Sequence, residues 1–213
     1  MILQNLPSGE RNPAWVAARR GHLGASQISK MLIGPKGGRA ARDQLAKELA
    51  AERLVGYAVN RINPEWPDIA RGLAEEPLAL AEYEAARGVW LDPAAWVEHP
   101  SIFGAGSTPD SFVAREGLVQ VKSRRLHIFI DEATKPDIDK GVIDQIDWEL
   151  ACCPWAEWSD YVCYCSEMPQ GKRMKIKRRM RDAERIAFLE DEVRKFLGEV
   201  DAMFELISTM ELA

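Results

Sequence analysis

The sequence predicts a mixed α/β fold, and three features support this prediction. Segment 41–55 carries apolar residues at helical spacing without a breaker, and segment 184–207 has the pattern of a long amphipathic helix. The stretch WSDYVCYC (158–165) has the β-branched and aromatic residues of a strand. Between residues 89 and 122, short apolar runs are interrupted by Pro and Gly, which is typical of short strands. Strands flanked by helices in 213 residues indicate one α/β domain, spanning 1–213.

The first part of the chain is predicted to be helical. Residues 12–32 indicate a short helix, a glycine-bearing loop and a second helix with its N-cap near Ser26. GPKGGR (34–39) predicts a flexible loop, and the helix over 41–55 follows it.

The middle and the end of the chain alternate between helices and strands. A helix is predicted to start at Glu76-Pro77, because proline suits the first helical position, and to stop at Gly88. The predicted strands are 89–91, 96–98, 101–103, 111–114, 118–122, 158–165 and the edge strand 174–180. The later helices are predicted at 136–153 and 184–207, and the strand and long helix over about 172–210 are assigned to the same domain.

The charge balance limits the partners of this protein. The net charge is −5 and the pI about 5.4, so a generally basic coat for nucleic acid is absent and any DNA contact must use local positive charge. The sequence has no apolar stretch of transmembrane length, and MILQNLPSGERN lacks the pattern of a signal peptide. We therefore expect a cytoplasmic protein without membrane contact.

The four cysteines have two interpretations. Cys152-Cys153 with Cys163 and Cys165 supply enough thiols for a zinc site, but no CxxC pair is present. The alternation in CYC instead sends two thiols to one face of a strand, which favours small buried apolar residues in a reducing compartment.

The stretch PDSFVAREGLVQVK, which ends at Lys122, has the outline of a metal-dependent phosphodiesterase site. Strand side chains alternate, so Gln120 and Lys122 are expected on one face, and Val119 and Val121 in the core behind them. Asp110 would join them, since a hard cation needs oxygen ligands. The structural alternative is a Pro-Asp turn followed by a solvated lysine on a strand, without a catalytic role.

Other motifs add to this outline, and together they resemble the phage λ-type exonuclease family. The similarity extends over roughly residues 13–205 and rests on the order and spacing of these pieces: Trp15, Arg19, Gly21 and Ser26; Arg71, Gly72, Glu76, Ala79 and Gly88; Thr108-Pro109-Asp110; Gln120-Val121-Lys122; Gln145; and WSDYVCYCSEMP.

This resemblance implies a fold and an activity. The fold would be a restriction-endonuclease-like core, with a mixed β-sheet flanked by helices. The activity would be Mg²⁺-dependent (with Mn²⁺ as a substitute) 5′→3′ digestion of linear double-stranded DNA, which leaves 3′ single strands. The resemblance further implies a ring-shaped homotrimer threaded by DNA, a single-strand annealing protein as partner, and a phage- or prophage-encoded protein in a bacterial cytoplasm.

The resemblance also assigns catalytic roles. Asp110, Gln120 and the Val121 carbonyl would hold the metal ion. Lys122 would orient the attacking water and stabilise charge. Glu76 would complete the acidic pocket, although a glutamate at a helix start also has a purely dipolar explanation.

Further residues would contact DNA or face the site. Gln145 would face the metal from its helix. Arg19 and Ser26 would hold the 5′-phosphate, as a charged fork and a hydroxyl near a helix start suit an anion. Arg124 and Arg125, directly after the motif, are candidates for phosphate contacts.

A basic run adds a second candidate surface. GKRMKIKRRMR (171–181) contains seven Lys or Arg and no acidic residue. It suits a phosphate-tracking surface and equally an edge strand whose lysines prevent aggregation.

The family places a glutamate where this chain has Gln120. An amide oxygen is an accepted ligand for Mg²⁺, but one negative charge is lost. Three interpretations follow: an active native site, an engineered Glu→Gln variant, or a naturally inactive protein that still binds DNA ends. The retention of the other charged and polar site residues favours an active site. The competing functions are a related endonuclease, a non-cleaving DNA-end-binding module, and a structural protein in which the motif is accidental.

Overall fold

The computed structural model describes residues 2–5, 12–32, 38–59, 65–93 and 95–210. The N-terminal stretch 6–11 and most of the predicted loop 34–39 lie outside the described residues. No helix among the described residues is long and apolar enough to cross a membrane. The predicted mixed α/β class is confirmed, with the following helices: α1 (Pro13–Ala18), α2 (Ile28–Met31), α3 (Arg39–Val55), α4 (Pro67–Arg87), α5 (Leu126–Thr134), α6 (Lys140–Cys152) and α7 (Ala183–Ser208).

The strands form a four-stranded and a five-stranded sheet within the described residues. The strands are β1 (Ile2–Leu3), β2 (Leu23–Gly24), β3 (Leu91–Pro93), β4 (Ala95–Glu98), β5 (Ala105–Ser107), β6 (Ser111–Val113), β7 (Gly117–Ser123), β8 (Trp158–Tyr164) and β9 (Met174–Met180). The smaller sheet has the order β1-β4-β5-β2, and the larger one has the order β3-β6-β7-β8-β9. In the larger sheet β7 pairs in parallel with β8 and antiparallel with β6, so this sheet is mixed.

The central strand β7 separates two apolar clusters, as its alternation predicts. Val119 and Val121 point into the cluster that includes Ala79 and Tyr83 of α4. Leu118 points the other way, into the main core that contains the buried residues of α6. Residue 120 shares the face of residue 118, since strand side chains alternate. The side chain of Gln120 is therefore directed towards α6.

Helix α4 begins earlier than the sequence indicated. The prediction of a start at Glu76-Pro77 is wrong, because the helix begins at Pro67, which also occupies a first-turn position, and Pro77 lies inside it. The predicted stop is confirmed, since Gly88 has the left-handed conformation that ends helices.

Three further predictions need correction. Residues 101–103 do not form a strand; the strand is β5 at 105–107. The helix predicted over 136–153 begins at Lys140, where the Asp139 side chain accepts a hydrogen bond from the Gly141 N–H. Helix α5 was not predicted, because its first half, LHIFI, is a short apolar run that fits a strand as well as a helix. The edge position of β9 is confirmed.

Candidate active site

The structure brings Asp110, Gln120 and Val121 to one point beside β7. The Val121 N–H donates to Asp110 Oδ2 at 2.6 Å, which fixes the carboxylate against the strand. Gln120 Nε2 donates to the same Asp110 oxygen at 2.6 Å and to the Val121 carbonyl at 3.2 Å. The amide NH₂ of Gln120 thus occupies the space between two oxygens that the sequence assigns to a metal ion.

A chain of hydrogen bonds leads from this point into α6. Gln145 Nε2 donates to Gln120 Oε1 and to Glu149 Oε1, both at 2.8 Å. The family resemblance implies that Gln145 faces the site from its helix, and the structure brings its side chain to Gln120. Sequence analysis missed Glu149, although its position four residues after Gln145 on a helix was a usable signal.

Both carboxyl groups at this site have raised pKa values. Burial raises the pKa of Asp110 to about 6, against the charge of Lys122 and the hydrogen bonds from Val121 and Gln120, which lower it. Burial, followed by the negative charge of Asp110, raises the pKa of Glu149 to about 8. Glu149 is completely buried, and its Oε2 atom has no hydrogen-bond partner among the described residues. The Lys122 ammonium lies near enough to lower the pKa of both acids.

A cleft opens in front of Asp110. It has a volume of about 360 Å³ and is lined by Asp110 and Ser111, by the α4 residues Glu76 and Pro77, and by residues of β1 and β3. Of the predicted catalytic residues, Asp110 and Glu76 line this cleft, while Gln120 is buried behind it.

The neighbouring Glu75 has a different environment from Glu76. It is buried, and its carboxylate accepts hydrogen bonds from the hydroxyls of Ser123, at 2.5 Å, and of Ser166. Glu75 thus ties α4 to the end of β7, which positions Glu76 at the mouth of the cleft.

Trp15 connects Arg19 to the loop that carries Asp110. The Trp15 indole N–H donates to Thr108 Oγ1 at 3.1 Å, two residues before Asp110. The Arg19 guanidinium stacks on the Trp15 ring, with 4.2 Å from Cζ to the ring centroid. Ser26 is exposed within a 3₁₀ turn (Ala25–Gln27), and the N-cap of α2 is the next residue, Gln27, close to the predicted position.

Arg124 and Arg125 are engaged in ion pairs within the chain. Arg124 Nε lies 2.8 Å from Glu132 on α5. Arg125 contacts Asp68 on α4 at 2.9 Å, and Asp68 also pairs with Arg71. Any contact of these arginines with a phosphate must compete with these carboxylates.

The basic run 171–181 is mostly used to hold β9 in place. Arg178 forms two hydrogen bonds to the buried Asp160, and Arg179 forms two to the buried Asp147. Arg181 donates to the carbonyls of Leu150, Cys153 and Ala156. These contacts favour the edge-strand interpretation over the phosphate-tracking one.

The four cysteines are free and buried, and all of them contribute to the main core. Cys163 of β8 and Cys165, directly after that strand, both contribute to the main core, as the alternation predicts. The interpretation as small buried apolar residues is confirmed.

The donor set at Asp110 suits a hard divalent cation. The carboxylate of Asp110, the Val121 carbonyl and the amide of Gln120 offer oxygen ligands, which Mg²⁺ and Mn²⁺ prefer. Asp110 Oδ2 and the Val121 oxygen already converge on the Gln120 NH₂, so reversing this amide directs a third oxygen to the same point. Among the described residues, no group of three or more His, Cys, Asp or Glu side chains is close enough to hold a metal. A cation here therefore depends on the amide and the backbone carbonyl.

Solved structures similar to this chain are exonucleases. The alkaline exonuclease LHK-Exo of Laribacter hongkongensis matches with a TM-score of 0.84 and 29% sequence identity, over 92% of this chain and 96% of that chain. LHK-Exo in complex with dAMP gives the same values. A phage related exonuclease from Haemophilus somnus 129PT matches with a TM-score of 0.61 and 17% identity, over 90% and 97% of the two chains, and shows the fold alone. No protein-family model and no curated protein sequence matches the chain.

The fold and its relatives define the class of this protein. It is a mixed α/β protein with the restriction-endonuclease-like core of these exonucleases. The resemblance to the λ-type exonuclease family is confirmed by the match to the alkaline exonuclease LHK-Exo over nearly the whole of both chains.

Proposed function

We propose that this protein is a Mg²⁺-dependent deoxyribonuclease that digests linear double-stranded DNA from a 5′ end and leaves 3′ single strands for phage-type recombination. One observation carries the proposal. Asp110 Oδ2 and the Val121 carbonyl converge on the Gln120 amide beside Lys122, in a chain similar to an alkaline exonuclease over nearly its whole length.

Each side chain has a role in this proposal. Asp110, Gln120 and the Val121 carbonyl would hold the cation. When bound, Mg²⁺ would neutralise the charge that develops on the phosphate and make a bound water more acidic. Lys122 would orient the attacking water and stabilise negative charge. Glu76, at the mouth of the cleft, would accept hydrogen bonds from water near the scissile phosphate.

The strand end would be held near Arg19. Its guanidinium is fixed by stacking on Trp15, and Trp15 is bonded to the loop that carries Asp110. A planar fork held at a fixed distance from Asp110 suits a terminal phosphate. Ser26 would add a hydroxyl donor. This arrangement supports recognition of a 5′-phosphate, and LHK-Exo was crystallised with dAMP, a nucleoside monophosphate.

The wider assembly follows from the family resemblance. The proposed enzyme works as a homotrimeric ring around DNA, in the bacterial cytoplasm, with a single-strand annealing protein as partner. In a ring, basic groups of Arg124 and Arg125 would face the DNA while acidic groups cover the outside, which reconciles the net charge of −5 with DNA binding.

A second candidate, DNA-end binding without cleavage, is favoured by one observation. The Gln120 NH₂ donates to both of the oxygens that would bind a cation, so the present hydrogen bonds oppose metal entry. The alternative endonuclease activity has no comparable contact in its favour.

A resection assay separates these functions. The substrate is a linear duplex with a 5′-phosphate at one end, with Mg²⁺ or Mn²⁺, and circular duplex is the control. Loss of the phosphorylated strand from its 5′ end, with the circle intact, is the expected result. A nicked circle would indicate an endonuclease. If the natural protein and Lys122→Met both bind the DNA ends and leave both strands uncut, catalysis is refuted.

A further inference from the structure

We infer that Glu149 supplies the negative charge that the metal site lacks at Gln120, and transmits it through Gln145. This inference rests on the proposed metal-dependent function. It concerns a residue outside the PD and QVK motifs, on the neighbouring helix α6.

The environment of Glu149 points to a function beyond packing. Its side chain has no exposed surface, and every residue of α6 from Ile146 to Cys152 is buried. A buried carboxylate costs free energy unless both of its oxygens are satisfied. Glu149 Oε1 accepts one hydrogen bond, from Gln145, while Oε2 has none in the described part of the chain. A residue that served the core alone would be better apolar or fully paired.

The position of Glu149 relates it to the cation point. Gln145 Nε2 lies 2.8 Å from Gln120 Oε1 and 2.8 Å from Glu149 Oε1. The two acceptor oxygens are therefore at most twice that distance apart. The cation point lies on the far side of the Gln120 amide from Gln145, a range over which a buried carboxylate still attracts a divalent cation without direct contact. Glu149 is thus placed to compensate for the charge lost at residue 120.

The hydrogen bonds also assign Gln145 a positioning role. When the Gln120 amide reverses to present Oε1 to a cation, Gln145 loses its acceptor on Gln120. Its bond to Glu149 remains and keeps the Gln145 NH₂ directed at that carboxylate. Glu149 therefore orients the Gln145 amide, which lies next to the proposed ligand Gln120, as outer partners of metal ligands commonly do.

Charge compensation has a reciprocal consequence. One negative charge is needed near the cation in addition to Asp110, and either residue 120 or residue 149 can carry it. The double substitution Gln120→Glu with Glu149→Gln keeps the formal charge and moves it across Gln145, by two hydrogen bonds of the chain. We expect this double variant to bind metal about as well as the natural protein, while Glu149→Gln alone weakens binding.

Calorimetric titration of the full chain with Mn²⁺ tests this inference without relying on nuclease activity. Glu149→Gln is expected to weaken Mn²⁺ binding by about 10- to 100-fold, the usual effect of losing an outer partner of a metal site. The matched control is Glu116→Gln, which removes one charge from the exposed turn between β6 and β7 and is expected to leave the affinity unchanged. Circular dichroism in EDTA verifies that the variants are folded. If Glu149→Gln does not fold, Glu149→Asp, which keeps the charge, is used in its place.

The outcomes separate the inference from the proposed function. Mn²⁺ affinity that is the same in Glu149→Gln and the natural protein overturns the role of Glu149 and leaves the metal site intact. If the double variant binds Mn²⁺ as weakly as Glu149→Gln does, a charge at residue 120 does not replace the charge at residue 149, and this part of the inference is overturned. If the Glu149→Asp substitute binds Mn²⁺ as weakly as Asp110→Asn, charge at residue 149 is not what the site uses. The absence of Mn²⁺ binding in all variants, including Gln120→Glu, refutes the metal-dependent function itself.

Discussion

Replacing Glu149 by Gln is expected to stabilise the metal-free protein, and to do so increasingly as the pH rises. Burial raises the pKa of Glu149 from its ordinary 4.5 to about 8 in the folded state. Folding therefore favours the protonated acid. The contribution of this proton to stability is complete below pH 4.5 and is lost as the pH rises through 8.

The magnitude follows from the size of the pKa shift. Each pH unit between the unfolded and folded pKa values removes about 1.4 kcal/mol of unfolding free energy. Between pH 5 and pH 9, the titration of Glu149 costs the natural protein about 4 kcal/mol. Glutamine keeps the shape and one hydrogen-bonding oxygen but does not titrate. The stability difference between Glu149→Gln and the natural protein should widen by this amount over the same range.

Urea denaturation followed by tryptophan fluorescence measures this difference. The natural protein, Glu149→Gln and the control Glu116→Gln are unfolded at pH 5, 7 and 9 in EDTA, under conditions where the transition is two-state. Added Mg²⁺ at pH 9 should restore stability to the natural protein more than to Glu149→Gln, because a ligand of the folded state stabilises it by mass action. A difference that stays constant within about 1 kcal/mol from pH 5 to pH 9 would refute the titration of a buried Glu149.

Three other predictions test different parts of the structure. Arg179→Met is expected to lower the unfolding free energy by about 3 to 5 kcal/mol, because it leaves the buried Asp147 carboxylate unpaired; urea denaturation checks this, and an unchanged midpoint would contradict it. Mn²⁺ affinity is expected to fall from pH 8.5 to pH 6, because the raised pKa values of Asp110 and Glu149 mean that both acids must lose a proton before the cation binds. Calorimetry at the two pH values should show that the affinity of Glu149→Gln depends less on pH. Arg19→Lys keeps the charge but loses the planar fork, so resection should slow more on 5′-phosphorylated than on 5′-hydroxyl ends; equal slowing on both would argue against a phosphate contact.

Local periodicity made part of this structure predictable from the sequence. The alternation of Val119 and Val121 with Gln120 placed two residues in the core and one towards the site, since a strand allows two faces only. This two-residue period is a local property of the strand and does not depend on contacts with distant parts of the chain. The long helix α7 was predictable for the same reason, as its apolar residues repeat over 26 residues.

Ambiguous local signals explain the errors in the helices. Pro67 and Pro77 both fit the first turn of a helix, and the sequence does not show that the helix continues through the second proline. The segment LHIFI of α5 is too short an apolar run to distinguish a helix from a strand, and of its residues only Phe129 is buried. The secondary structure of such segments is determined by tertiary packing.

The pairing of charges was not predictable, because it depends on how distant elements meet. Arg124 and Arg125 looked available for phosphate, yet their partners Glu132 and Asp68 come from α5, which the sequence did not reveal, and from the unpredicted first turns of α4. Glu149 was missed for a related reason. Its relation to residue 120 exists only once α6 is placed against β7.

The glutamine at position 120 has a physical rationale in this arrangement. A glutamate there would place its carboxylate against Asp110 Oδ2, where the amide now donates at 2.6 Å, with Glu149 close behind it. Three acids around one buried point, with Lys122 as the neighbouring cation, would repel one another whenever the metal is absent. Glutamine replaces the repulsion with Asp110 by a hydrogen bond, and Gln145 separates residue 120 from Glu149. The metal-free fold is thereby stabilised at the expense of metal affinity, so that Gln120→Glu should bind Mn²⁺ more tightly and unfold more readily in EDTA.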